Sequence, residues 1–303
     1  MKINIWVIVF VLHCFTLFAQ QLPDTNYKPI ILHPEYSIGK GSVVYIDEGH
    51  HNFHTKDGRY FGFARLLESD GYNVKRYVGL FEEKKLDAGK ILVISNALNE
   101  INTENWYLPT PSAFTKEEIE SVRKWVYNGG SLFLIADHMP LAGSAADLAK
   151  VFGFDFRNGF AVDTMSRTTD LFSRNDSSLK NNVITNGRNK SENVQQVATF
   201  TGQSFKIPAD AESIITLSSK YVNLLPDTAW VFDSKTRIES AEGLSQGAFK
   251  KYGKGKLVMF GEAAMFTTQL AGPQQMKVGM NSPIAKENYQ LLLNIIHWLD
   301  GKL

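Results

Sequence analysis

Short apolar runs, each closed by polar residues, set the rhythm of this chain. Ser42-Val43-Val44-Tyr45-Ile46-Asp47, Ile91-Leu92-Val93-Ile94-Ser95, Ser131-Leu132-Phe133-Leu134-Ile135-Ala136 and Lys256-Leu257-Val258-Met259-Phe260 are too short for helices. They read as strands buried on both faces, and residues 74–78 add another. Between them the period changes. Phe61, Ala64, Leu66 and Leu67 lie on one helical face that stops at Asp70-Gly71, a glycine C-cap. Thr115 with Glu118 three residues on is a capping box, opening a helix through Ile119, Val122 and Val126 to Gly129-Gly130. A closing helix over 283–300 carries Tyr289, Leu292, Leu293, Ile296 and Leu299 on its apolar face. Strands alternating with helices predict an α/β fold, a mainly parallel sheet flanked by helices, with ligands at the carboxyl ends of the strands.

From about 158 to 250 the chain grows richer in Asn, Ser, Thr and Asp, with candidate strands at 196–200, 213–217 and 229–232. This predicts a β- or loop-rich insertion in a single domain spanning 41–303, preceded by a polar lead over 20–40.

Residues 1–19 have the form of a cleavable signal peptide: Lys2, an apolar core from Ile5 to Phe18, then Ala19. The expected location is periplasmic or secreted, with no membrane span once that segment is removed, since the apolar core is shorter than the roughly 20 residues a spanning helix needs. Cys14, the only cysteine, would leave with it, so the mature chain would have neither a disulfide nor a thiol nucleophile. With 32 basic against 31 acidic residues, no overall field points to nucleic acid. Any anion would have to be recognised locally.

Chemistry gathers where the strands end. Ile46 leads into Asp47, Glu48, His50, His51, Asn52 and His54; Ile135 leads into Asp137 and His138; Phe260 leads into Glu262. Three of the seven histidines fall within residues 50–54. Histidine titrates near neutrality and is the commonest metal ligand, so proton transfer and metal binding are both open. A divalent metal is possible but not required, because no familiar zinc motif is present. A third reading has Asp47 and Asp137 terminating strands through side-chain turns while the histidines satisfy backbone groups. Lys56, Arg59, Arg65, Arg167 and Arg174 are candidate partners for an anionic ligand, and Trp106, Tyr107 and Trp230 for stacking on a sugar.

The order strand, Asp47-Glu48-Gly49-His50-His51-Asn52, helix, strand, then residues 125–138, Gly261-Glu262-Ala263-Ala264-Met265-Phe266 and the final helix resembles the class I glutamine amidotransferase-like (flavodoxin-like) superfamily over most of 41–303. More narrowly it resembles a triad-lacking branch in Bacteroidetes, found alone or fused to unsaturated glucuronyl and rhamnogalacturonyl hydrolases. Asp137-His138 stands where true amidotransferases carry the nucleophilic cysteine, so glutamine hydrolysis by that route is not expected. The resemblance implies polysaccharide breakdown, and its nearest functional match is to dehydratases of ulvan oligosaccharides. It leads us to expect a lyase that removes water across C4 and C5 of a non-reducing uronic acid in an acidic oligosaccharide. His50, His51, His54, Asp137, His138 and Glu262 would carry the catalysis; Glu48, Asn52, Lys56, Arg59 and Arg167 would bind substrate. A non-catalytic carbohydrate-binding module and a metal-dependent hydrolase are the alternatives.

Overall fold

The computed structural model describes residues 21–28, 31–166 and 169–303; the expected signal peptide and Arg167 lie outside the described residues. The expected runs form strands β1 (Val43–Asp47), β2 (Asn73–Tyr77), β3 (Ile91–Ser95) and β4 (Ser131–Ile135), followed by β5 (Asp155–Phe156), β6 (Phe205–Lys206), β7 (Glu212–Thr216), β8 (Ser245–Tyr252) and β9 (Gly255–Phe260). These nine make one sheet in the order β2-β1-β3-β4-β9-β8-β6-β5, with β7 also paired to β8. From β2 to β9 every neighbour is parallel, while β8 returns antiparallel to β9. The architecture is therefore the expected mainly parallel, helix-flanked α/β sheet with a β- and loop-rich insertion.

Alternation along each strand divides the core. Ile91, Val93, Phe133, Ile135, Val258 and Phe260 face helices α1 (Phe61–Ser69) and α4 (Asn288–Asp300), packing with Phe63, Leu67, Leu292 and Ile296. Their neighbours Leu92, Ile94, Leu132, Leu134, Leu257 and Met259 face α2 (Lys116–Asn128) and α3 (Leu141–Lys150). Burial on both sides is why these strands read as continuous apolar runs rather than as alternating ones. The capping box is present: the Thr115 hydroxyl accepts from the Glu118 N–H at 3.2 Å, and Glu118 accepts from the Thr115 N–H at 3.0 Å. Gly71 ends the α1 turn at φ +90°, where a Cβ would run into the Tyr36 backbone.

Several elements differ from expectation. Residues 229–232 are a turn rather than a strand: only Thr228 bridges Tyr107, after which Trp230 turns the chain at φ +68°. The final helix starts at Asn288, not near Pro283, because residues 283–287 form turns. Helix α3 had no separate sequence signal; it is short, small-residue-rich and buried on most of its surface. Part of the 158–250 segment extends the main sheet through β6, β7 and β8. Another part forms a separate three-stranded layer, Phe160–Asp163, Tyr221–Leu225 and Arg237–Ser240. Among the described residues no helix is long and apolar enough to cross a membrane.

Candidate active site

Parallel pairing puts the carboxyl ends of β1, β3, β4 and β9 on one edge of the sheet, so Asp47, Ser95, Asp137 and Glu262 share a rim. The two histidine-bearing corners of that rim have different construction.

At the β1 corner, Asp47 is fully buried and organises the loop. Its carboxylate accepts from the Gly49 N–H at 3.0 Å, from Asn52 Nδ2 at 2.9 Å and from His50 Nδ1 at 2.9 Å. The other His50 nitrogen, Nε2, donates to Glu118 Oε1 at 2.8 Å, and the ring is packed between Phe81 and Phe114. Both ring nitrogens thus meet carboxylates, which demands the doubly protonated imidazolium. Burial alone would lower its pKa, but Asp47 and Glu118 outweigh burial and raise it. Burial likewise pushes Glu118 up, yet the Thr115 N–H, His50 and the Phe81 N–H together hold it below its ordinary value. His50 has no free nitrogen for a substrate or a metal.

His54 is buried beside Tyr60, with ring centroids 4.7 Å apart, and its Nδ1 has no partner among the described residues. Burial, with the positive Arg59 nearby, pushes its pKa down to about 3, so at neutral pH it is an uncharged imidazole. His51 is exposed on the loop at φ +47°. Three of the expected substrate-binding residues are spent inside the protein. Glu48 caps the Lys56 N–H at 2.8 Å, Asn52 ties Asp47 to the His50 N–H, and Lys56 Nζ pairs with Glu68 at 2.9 Å. Arg59 is the exception. Its guanidinium stacks 3.6 Å over Phe53 and its Nη1 donates to the Phe53 carbonyl at 3.3 Å, while among the described residues its Nε has no partner and no carboxylate pairs with it. Arg65 pairs with Glu68, and Arg174 holds the Val194 carbonyl and Asn186 inside the insertion.

The β4 corner is a strand-turn-helix elbow between Ile135 and Leu141. Asp137 Oδ1 accepts from the His138 N–H at 2.9 Å, while the Asp137 N–H donates to Asn96 Oδ1 at 2.8 Å. His138 Nδ1 lies 2.7 Å from the Met139 carbonyl. A carbonyl only accepts, so Nδ1 carries a proton, and the tautomer this selects presents its lone pair at Nε2. Among the described residues that nitrogen has no hydrogen-bond partner. The ring lies stacked on Phe160 at 4.4 Å, edge-on to Trp230 at 4.6 Å and beside Trp106 at 5.9 Å. Trp106 also contacts Phe53, so an aromatic strip runs from Arg59 through Phe53 and Trp106 to His138 and Trp230.

Beneath the strip, Glu262 is fully buried and accepts from the Ala264 and Met265 N–H groups, each at 2.8 Å. Burial, helped by the Asp137 carboxylate, raises its pKa well above the usual carboxylate range in spite of those donors. Tyr60 is raised by burial too, with Glu262 and Asp137 adding to the shift. Burial beside Asp137 thus favours the protonated forms of Glu262 and Tyr60, and neither is on the surface.

Tyr60, Asn96 and Phe160 were not expected at the site. Asn96 follows a buried strand just as Asp47 and Asp137 do, so its position was readable by the same rule. It sits at φ +49° and ties two strand-end loops, accepting from the Phe53 N–H at 2.9 Å through its carbonyl. Phe160 comes from the insertion, and no local pattern marks it. Among the described residues no three His, Asp or Glu side chains are grouped to hold a metal ion.

No family model matches the chain, and no curated protein matches it. Solved structures do. The N-terminal domain of mmIFT52 superposes with a TM-score of 0.59 at 15% identity, over 85% of this chain and 97% of that one. Cytoplasmic protein STM1381 from Salmonella typhimurium LT2 gives 0.50 at 14%, over 85% and 98%. A ThuA-like protein from Bacteroides uniformis ATCC 8492 gives 0.47 at 12%, over 90% and 94%. At such identities the likeness is one of fold alone, a mainly parallel sheet flanked by helices.

Proposed function

We propose that the protein is an acid/base enzyme of the lyase type acting on an acidic saccharide, with His138 as the catalytic base. The observation that carries this reading is the geometry of His138: one nitrogen fixed by a backbone carbonyl, the other open, in an aromatic strip that ends at an arginine with no carboxylate partner among the described residues. Aromatic faces suit the apolar faces of sugar rings, and a half-buried guanidinium without a carboxylate suits a uronate. In the dehydration, His138 Nε2 takes the C5 proton and the C5–H electron pair becomes the C4=C5 double bond. The C4–O bond breaks, and the proton carried by His138 leaves with the hydroxyl as water. Arg59 offsets the charge that develops on the carboxylate as C5 loses its proton. Export rests on the signal-peptide pattern of residues 1–19, and an ulvan-type substrate on the sequence resemblance.

Incubation with uronate-terminated oligosaccharides is expected to produce the ultraviolet absorbance of a conjugated ene-carboxylate. Arg59→Ala should raise KM about tenfold or more, the weight of one charge-assisted contact. Absence of the absorbance across such substrates, with binding retained, would replace the enzyme by a saccharide-binding module.

A further inference from the structure

His138 is open at one atom, and the direction of that atom is fixed. Its ring lies nearly parallel to Phe160, at 13° with centroids 4.4 Å apart, while Trp230 meets it at 73° and 4.6 Å. Nδ1 is tethered to the Met139 carbonyl at 2.7 Å, and the residue as a whole is 7% exposed. A ring packed and tethered in this way does not turn over, so Nε2 addresses a bound substrate from one side. Most other titratable groups at the rim are committed elsewhere. His50 meets carboxylates at both nitrogens, His54 is buried against Tyr60, and Glu262 is fully buried. Asp137 belongs to the same elbow and accepts from the His138 N–H at 2.9 Å. His51 stands apart from that elbow, exposed on the β1 loop.

Loss of water across C4 and C5 needs the hydrogen at C5 removed and the oxygen at C4 protonated. A proton moves only across hydrogen-bond reach, about 2.6–3.2 Å between heavy atoms. With Nε2 as the one proton-carrying atom, both centres must come within that reach of it. Where the C5–H and C4–O bonds are cis, a twist of the sugar ring eclipses them over one face. Where they are trans, no twist eclipses them, and the oxygen departs on the face opposite the hydrogen. Resting on the lyase reading above, we infer that the elimination is syn and that the substrate is a uronate with C5–H and C4–O on one face, as in D-glucuronate and not as in D-galacturonate or L-iduronate. Nε2 takes the C5 proton and the C5–H electron pair becomes the C4=C5 bond. The C4–O bond breaks, and the same proton passes to the departing hydroxyl, which leaves as water. His138 ends the cycle in the form in which it began, with no outside acid.

Three disaccharides with one neutral second sugar test this, ending in β-D-glucuronate, β-D-galacturonate and α-L-iduronate. Dehydration erases the configuration at C4 and C5, so all three lead to the same unsaturated product. A difference in rate therefore reports the geometry of removal. The glucuronosyl probe is expected to give the ultraviolet absorbance of the ene-carboxylate, and the two trans probes to be slower by at least about 100-fold, the loss expected when one proton transfer is out of reach. Each trans probe is also titrated as a competitor of the glucuronosyl probe, where it is expected to bind with similar affinity. Comparable turnover of either trans probe would mean that a second group, such as His51, works from the opposite face; it would overturn the syn assignment and leave the lyase reading standing. Exclusion of both trans probes from the site would credit the selectivity to binding and likewise overturn the assignment to Nε2. No product from any of the three would overturn the lyase reading and the syn assignment together.

Discussion

The β1 corner and the β4 corner present the same residue types, a buried aspartate and a histidine at the end of a parallel strand, and they do opposite things with them. His50 is held at both nitrogens by Asp47 and Glu118 and closed between two phenylalanines. His138 is held at one nitrogen, by a carbonyl, and keeps the other open against tryptophans. The denser histidine cluster is thus the more structural one. What separates a staple from a base is the number of nitrogens the fold leaves over.

The comparison breaks most visibly if His50 can be dispensed with. His50→Ala leaves two buried carboxylates facing each other, and breaking a buried pair in this way costs about 3–5 kcal/mol. Denaturant unfolding should register that loss, and a variant of unchanged stability would return His50 to the list of available groups. His138→Gln tests the other corner. Turnover of a uronate-terminated substrate should fall roughly 10²–10⁴-fold, the usual weight of a general base, while unfolding midpoints stay close to wild type. A large stability loss with activity retained would reverse the assignment.

Acid exposes a subtler difference. His54 has its folded pKa depressed from 6.5 to about 3, so between those values the unfolded chain binds a proton that the folded chain refuses. Its contribution is present above pH 6.5 and is lost as pH falls, at no more than about 1.4 kcal/mol per pH unit. His50 runs the other way. Its raised pKa gives stability that is complete below its unfolded value and is lost as pH rises through the folded one. Stability measured against pH should therefore peak near the ordinary histidine value, and His54→Phe should flatten the acid limb only. An unchanged acid limb would show that His54 is not the neutral buried group described. The smallest effect belongs to the cap. Thr115→Ala should cost about 1 kcal/mol, and because Thr115 also anchors Glu118 it should shift the alkaline limb set by His50. Loss of stability without that shift would uncouple cap and staple.

The rim was legible because its strands are buried on both faces: Val43 to Ile46, Ile91 to Ile94 and Leu132 to Ile135 leave no other assignment, and parallel pairing then places their ends together. Thr115 and Glu118 were legible as a capping box, but Glu118's second role was not. His50 lies 68 residues away, and no local pattern links a helix's third residue to a distant loop. Tyr60 read simply as the start of a helix, and the 229–232 run read as a strand because its composition is apolar. There, the single bridge from Thr228 to Tyr107 ends the pairing and the chain turns at Trp230.

Local sequence, then, determined which segments become strands and helices and which strand ends carry titratable groups, since periodicity, caps and glycine stops act over a few residues. Only the tertiary structure decided what those groups are free to do. Protonation and availability depend on partners delivered by other elements: Glu118 from α2 to His50, the buried surroundings of His54, Asp137 beside Glu262, and Phe160 and Trp230 from the insertion around His138. Such contacts arise from the packing of segments far apart in the chain, and their effect on a charge depends on how much water that packing removes.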